Sequence, residues 1–433
     1  MKPESLFDPL IARWFASHVG TPTDIQQRAW PEIAAGRHVL LTAPTGSGKT
    51  LTAFLYALNQ LATGAWESGY TRVLYISPLK ALNNDIQRNL LTPLAQLRVV
   101  FQEAGRPLPP IQVLTRSGDT SQTDRRRMLR HPPEILITTP ESLNLILASP
   151  NARALLMRLE TVILDEIHAI AGTKRGTHLI TAVDRLVPLS GEFQRVALSA
   201  TVRPLDTMAA FVGGYEMLRQ GESVEYRPRP VRILQSPQSK RIALQVRAAD
   251  PDRAPNEGPW EGITASLKEI IGRNRSTLIF TNSRRLTERL SLMLNENEPD
   301  LIAYAHHGSL SRETRAVVEQ RLKDGELRAI VATNSLELGI DIGALDEVAL
   351  VQTPPSVASA LQRIGRAGHQ VGALSRGTLF PTHGRDYLDA AVMAKAVSEQ
   401  DIEPLKPVRG ALDVLAQIIT AMAAVEPWQV DEL

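Results

Sequence analysis

Cysteine is missing from the chain altogether, which excludes disulfides and thiolate metal sites and agrees with, without requiring, a reducing cytosol. An excess of charge is missing too. With 48 Lys and Arg against 46 Asp and Glu, bulk electrostatics does not direct the chain to a polyanion, so any nucleic-acid groove must be a local patch. No apolar run approaches the length that spans a bilayer, and the opening MKPESLFDPL sets no apolar stretch behind a basic leader. The expectation is a cytoplasmic protein with no membrane partner. Low-complexity segments and short-period repeats are also absent, which argues against a solenoid.

What is present is enough chain for more than one core: 433 residues, 43% of them hydrophobic. Short β-branched runs alternate with helical stretches: HVLLT (38–42), RVLYIS (72–77), EILITT (134–139), TVILD (161–165) and QRVALS (194–199). That alternation predicts a parallel sheet with helices on both faces. Between 216 and 262 the text turns irregular and Pro-rich, as in RPRP and ADPDRAPNEGP, and reads as a linker followed by a surface loop. A second alternation follows in STLIFT (276–281), LIAYA (301–305), RAIVAT (328–333), DEVALV (346–351) and RGTLF (376–380). The expected division is 1–215 for a first α/β lobe, 216–262 for the linker and loop, 263–405 for a second lobe, and 406–433 for a helical C-terminal segment.

In that last segment Leu412, Leu415, Ile419 and Met422 stand at helical spacing, and PWQVDEL follows. Two readings stay open. One is a closing helix packed on the second lobe; the other is the opening of a further domain.

The stretch APTGSGKT joins an apolar strand to the helical LTAFLYALNQL. In such a strand-to-helix turn, glycines let backbone N–H groups approach phosphates, and the new helix contributes its positive end. Thr45, Gly46, Ser47, Gly48, Lys49 and Thr50 form the expected cradle, with Lys49 on the β and γ phosphates of ATP and the Thr50 hydroxyl on Mg²⁺. Ala43 stands where the general GxxxxGK[ST] pattern has its first glycine. Since Gly46 and Gly48 serve the turn, this reads as a subtype.

LDEIH closes another apolar strand, where a carboxylate at the C-terminal sheet edge faces the phosphates. Asp165 is expected to hold Mg²⁺ and Glu166 to polarise the attacking water. A helix-capping aspartate beside a solvated glutamate is the competing reading, and the upstream loop disfavours it. The His306, His307 pair, with no third ligand cluster nearby, reads as loop packing or a backbone contact.

With these motifs in place the chain resembles a superfamily 2 DExH-box helicase, most closely the Lhr (large helicase-related) family, over nearly its whole length. The resemblance implies two tandem RecA-like domains. PTDIQ looks like an adenine-reading motif, with Gln26 offering a donor and an acceptor to the base. SPLKALNND, TRSGDT and TTPESL resemble strand-binding motifs, which assigns Lys80, Arg116, Thr139 and Ser142 to sugar and phosphate. SAT resembles the coupling motif, with Ser199 and Thr201 linked to His168.

In the second lobe FTNSRR, HHGSLSRETR and ATNSLELGIDI look like the remaining motifs; Thr333 and Asn334 would touch the strand, and Gly339 and Asp341 the nucleotide. QRIGRAGH would supply Arg366 as the finger that stabilises charge on the transferring phosphoryl group, with Gln362 and Arg363 organising the cleft. Relatives often carry a second arginine where this sequence has His369, which also falls in the implied nucleotide set.

By the same likeness the tail opens a winged helix, and the activity is an Mg-ATP-driven 3′-to-5′ translocase on single-stranded DNA that unwinds duplex or RNA:DNA hybrid in DNA repair. RNA as the tracking strand stays open, as does an ATP-switched binding or annealing module. A transport or remodelling ATPase would leave the second-lobe motifs unexplained.

Overall fold

The computed structural model describes residues 3–44, 46–78, 80–220, 223–237, 241–248, 259–337, 345–368 and 374–430. The chain forms two compact units: 1–43 with 47–236 and 404–433, and 237–403 with the short piece 44–46. No helix among the described residues is long and apolar enough to cross a membrane.

The first unit is built on β1 (His38–Thr42), β2 (Val73–Ile76), β3 (Val113–Arg116), β4 (Ile135–Thr138), β5 (Thr161–Leu164) and β6 (Gln194–Ser199). A hairpin of β7 (Tyr215–Gln220) and β8 (Ser223–Pro228) follows, then β9 (Val231–Gln235). The main sheet runs β3-β4-β2-β5-β6-β1-β9, with every pair parallel. Alternation along the strands feeds two cores. Leu40, Leu74, Leu136, Val162 and Ala197 join the cluster on one face. Val39, Leu41, Tyr75, Ile137, Ile163 and Leu198 join the cluster on the other. Both faces are covered, which is why the strands read as unbroken apolar runs.

The second unit contains β10 (Arg241–Val246), β11 (Thr277–Thr281), β12 (Ala303–His306), β13 (Ala329–Ala332), β14 (Glu347–Val351) and β15 (Leu374–Phe380). These strands form one parallel sheet in the order β10-β15-β14-β11-β13-β12. Two RecA-like domains in tandem, as expected, make up the fold.

Two expectations need correction. The 216–262 stretch is not simply linker and loop, because β9 pairs with β1 and β10 pairs with β15, one strand added to each sheet. Two buried arginines paired to half-exposed carboxylates line the way into β9. Fully buried Arg195 bonds Asp184 at 2.8 Å and the carbonyls of Val212 and Gly213, while Arg229 forks onto Glu192 at 2.7 and 3.0 Å.

The C-terminal segment, in turn, belongs with the first lobe and does not close the second. Leu405 donates its N–H to the Arg203 carbonyl, Thr177 donates its hydroxyl to the Val408 carbonyl, and Lys174 pairs with Asp413. Arg153 holds Glu426 through two bonds of 2.9 Å. The Leu412–Ala423 helix buries Val414 and Ile418, so three of the four residues that defined its expected apolar face, Leu412, Leu415 and Ile419, lie exposed, while Met422 is half-buried.

Candidate functional site

Beyond β1 the chain turns through Gly46 (φ 81°) and Gly48 (φ 80°), left-handed values that a side chain disfavours, and enters the Lys49–Ala62 helix. A Cβ on Gly48 would stand 2.8 Å from Nε2 of Gln26, so the loop packs against that amide. Gln26 is buried on the Asp24–Ala34 helix, and its Oε1 accepts the Thr23 N–H at 2.9 Å. Thr23 in turn donates its hydroxyl to the Ser47 carbonyl at 3.1 Å. PTDIQ is therefore fastened to the loop, with one acceptor position of Gln26 already taken. Ala43 is buried in the core beside β1, and its N–H reaches the Ser199 carbonyl; a packed methyl explains why no glycine is needed there. Lys49 Nζ donates to the Ala43 carbonyl at 2.5 Å, and Thr50 is half-buried in the first helical turn. Thr45 lies outside the described residues.

Asp165 follows β5 directly. Its Oδ2 accepts the Tyr75 hydroxyl at 2.5 Å and its Oδ1 accepts the Glu166 N–H at 2.7 Å. Burial, and then the neighbouring Glu166 charge, raise the Asp165 carboxyl to about 6; the Tyr75 and Glu166 bonds and the Lys49 charge act against that rise. Glu166 sits at φ 45°, a strained value for a residue with a side chain and of the kind that concentrates at functional sites. His168 Nδ1 accepts the Ala200 N–H at 3.1 Å and lies 3.5 Å from Glu166 Oε2. Ser199 is fully buried and Thr201 exposed. A hydroxyl at Thr50 and a carboxylate at Asp165 form an all-oxygen donor set, the kind that suits Mg²⁺.

On the same lobe Arg116 ends β3, buried to 9% exposure, and its Nη1 has no hydrogen-bond partner among the described residues. Burial, and then the nearby Arg125 charge, lower this guanidinium below its ordinary value. Arg125 Nη2 donates to the Ser117 and Gly118 carbonyls at 3.1 and 3.3 Å and so shapes the loop after Arg116. Thr139 caps the Pro140–Leu147 helix and donates its hydroxyl to Ser142 Oγ at 3.2 Å. Arg175 bridges Glu141 and the Pro78 carbonyl, joining the SPLK and TTPES segments. Burial alone would raise the Glu141 carboxyl, but the Arg175 bond and charge, its own backbone N–H and the Thr139 hydroxyl together outweigh it and hold it low. Lys80 opens the Lys80–Glu103 helix, and its side chain lies outside the described residues.

In the second lobe Arg363 is buried under Phe280, with Nε on Glu337 Oε2 at 2.9 Å and Nη1 on Asn282 Oδ1 at 3.1 Å. Arg366 gives Nε and Nη2 to the Glu337 carbonyl at 3.2 and 2.9 Å. Gln362 and Thr333 are half-buried and Asn334 is exposed. Gly339, Asp341 and His369 lie outside the described residues. Both histidines of the HH pair are taken up by neighbours, His306 by Ser335 and Glu319, His307 by Glu288.

Sequence reasoning missed Tyr75, Arg125 and Arg175. Only Arg125 carried a signal, in the basic helix DRRRMLR.

Residues 23–208 match the DEAD/DEAH box helicase model and residues 263–370 the helicase conserved C-terminal domain. The chain is 45% identical to a Mycolicibacterium smegmatis protein named Lhr helicase/probable uracil glycosylase, across 99% of this chain and 30% of that one. It is 42% identical to ATP-dependent helicase Lhr-Core protein 2 of Thermococcus barophilus, across 99% of this chain and 50% of the other. A solved structure of Mycobacterium smegmatis helicase Lhr, bound to ssDNA and AMP-PNP, superposes with a TM-score of 0.90 at 46% identity, covering all of this chain and 55% of that one. The chain belongs to the Lhr family. It spans between about a third and a half of the length of these curated Lhr relatives.

Proposed function

We propose that this Lhr-family chain is the ATP-driven motor of a helicase that moves 3′ to 5′ on single-stranded DNA and separates duplex or RNA:DNA hybrid, with a role in DNA repair. One observation carries the reading: the bond from the Ala200 N–H to His168 Nδ1, which ties the LDEIH segment to the SAT segment of the same sheet edge. Ligands of parallel α/β sheets bind at the carboxyl ends of the strands, so this bond stands beside the expected nucleotide site. The ssDNA and AMP-PNP in the Mycobacterium smegmatis relative support the choice of strand and fuel.

In this reading Gly46, Ser47, Gly48 and Lys49 hold the phosphates, and Gln26 fixes the loop while its remaining groups meet the base. Thr50 and Asp165 would hold Mg²⁺, which when bound neutralises phosphate charge. Glu166 orients the attacking water, and His168 passes the state of that carboxylate to Ser199 and Thr201. Arg116, Arg125, Thr139, Ser142, Thr333 and Asn334 take sugar and phosphate and read no sequence. Arg366 stabilises the transferring phosphoryl group after exchanging its bonds to the Glu337 carbonyl, and Arg363 keeps it aligned.

The deciding experiment is steady-state ATPase turnover with matched single-stranded DNA and RNA, alongside unwinding of an RNA:DNA hybrid. Stimulation by DNA of ten-fold or more is expected, an order-of-magnitude figure. Turnover indifferent to either strand would leave an ATP-switched binding module as the better reading; stimulation by RNA alone would make it an RNA helicase.

A further inference from the structure

Arg363 and Arg366 ride on the short Val357–Ile364 helix and the turn after it, so the start of that helix governs where both guanidinium groups stand. Its first N–H groups need acceptors. Ser356 supplies one, to the Ser359 N–H at 3.1 Å. The other two come from far along the chain: Glu403 Oε1 accepts the Val357 N–H at 2.6 Å, and Glu403 Oε2 accepts the Ala358 N–H at 3.3 Å. A carboxylate at a helix N-terminus gains from the helix dipole as well as from the two bonds. A cavity of about 680 Å³ is lined by Asn282, Thr353, Val357, Asp386 and Glu403. Asn282 receives Arg363 Nη1 and donates to the Thr353 carbonyl, and Thr353 is held by Asp386. Both ends of the arginine helix are thus supported from the walls of one cavity.

Glu403 is also the last residue of its unit. One peptide bond later Pro404 forms a parallel bridge with Arg203, and Arg203 lies two residues beyond the SAT triplet. The segment that follows is fastened to the first lobe through Leu405, Val408, Asp413 and Glu426.

We propose that Glu403 is a positioning residue for Arg363 and Arg366, fixing their helix to the chain segment that the first lobe anchors beside SAT. The claim rests on the roles given to those arginines above. Glu403 touches neither nucleotide nor strand; it acts by holding the helix that presents them. A helix cap alone would affect stability only. A cap joined through one peptide bond to the segment anchored beside SAT makes arginine placement depend on the length of that joint.

The test compares Glu403→Ala, Glu403→Asp and a two-glycine insertion between residues 403 and 404, in the whole chain. In Glu403→Ala and in the insertion, strand-stimulated kcat should fall about ten-fold while KM for ATP stays within about two-fold, because misplacement of a catalytic group by a fraction of an ångström acts on turnover. Glu403→Asp should recover at least half of the loss. Amide hydrogen exchange at Val357 and Ala358 should accelerate about ten-fold in Glu403→Ala and stay near wild type in the insertion, which leaves the cap in place, a readout that needs no activity. Wild-type kcat in the insertion would overturn the proposal, as would unchanged exchange in Glu403→Ala or a kcat loss matched by loss of folded protein. A wild-type protein without strand-stimulated turnover would instead count against the helicase reading, and the exchange measurement would still decide the cap.

Discussion

The N–H of Ala200 donates to Nδ1 of His168, so a neutral ring must carry its proton on Nε2, and the 3.5 Å approach of Glu166 to Nδ1 is not an ion pair. His168→Ala removes the acceptor and leaves the phosphate loop untouched. ATP affinity should stay within about two-fold, while strand stimulation of turnover falls about ten-fold, as expected when a positioning contact is lost. Nucleotide titration and ATPase assays with and without single-stranded DNA would measure the two separately. Glu166→Gln should also retain ATP affinity but lose turnover by a factor of about 100 or more, the scale for an assisting base.

Gly48 has no room for a methyl group. At φ 80° an L side chain is strained, and its Cβ would meet the buried Gln26 amide at 2.8 Å. Left-handed backbone alone costs about 1–2 kcal/mol for such a residue. Gly48→Ala should therefore weaken ATP binding about ten-fold or more, since about 1.4 kcal/mol is a factor of ten. Isothermal titration would read this directly. Affinity equal to wild type would mean that the loop can open away from Gln26 at no cost.

In the proposed function Arg116 and Arg125 take strand phosphates. Removing either should weaken single-strand binding without altering sequence preference. Each lost phosphate contact should reduce the slope of log K against log salt by about 0.7. Fluorescence anisotropy at several salt concentrations would show it. An unchanged slope for Arg116→Ala would remove that residue from the strand path.

His38 opens β1, and its Nδ1 accepts the backbone N–H of buried Arg195 at 3.1 Å. Burial, then the Arg195 and Arg229 charges, lower its pKa from 6.5 to about 4. The folded state therefore holds the ring neutral where an unfolded chain would already protonate it. Stability from this residue is fully present above about pH 6.5 and drains away as pH falls towards 4. Urea unfolding of the first lobe should show that loss, and His38→Gln should flatten it.

Much of this was legible in the sequence, for physical reasons that also explain what was not. A phosphate loop and an Asp-Glu pair need neighbouring residues, so APTGSGKT and LDEIH declare themselves. Tyr75 reaches Asp165 over 90 positions, and no spacing rule connects them. The strands buried on both faces were read correctly from their apolar runs. β9 and β10 were not, because half-buried outer strands keep polar residues and here they flank a Pro-rich stretch. For the C-terminal helix, periodicity supported a helix but chose the wrong face; Val414 and Ile418 are buried because the first lobe lies on that side.

Strand β9 has one more implication. Since it pairs along the whole of β1, a first lobe trimmed to residues 1–215 would leave His38–Thr42 as a bare parallel edge, its N–H and C=O groups open to any passing chain. The excised fragment would be prone to aggregate for reasons unrelated to its catalytic loop. Anyone dissecting the motor must carry residues 216–236 and 404–433 along with it, so the natural cutting unit here is discontinuous.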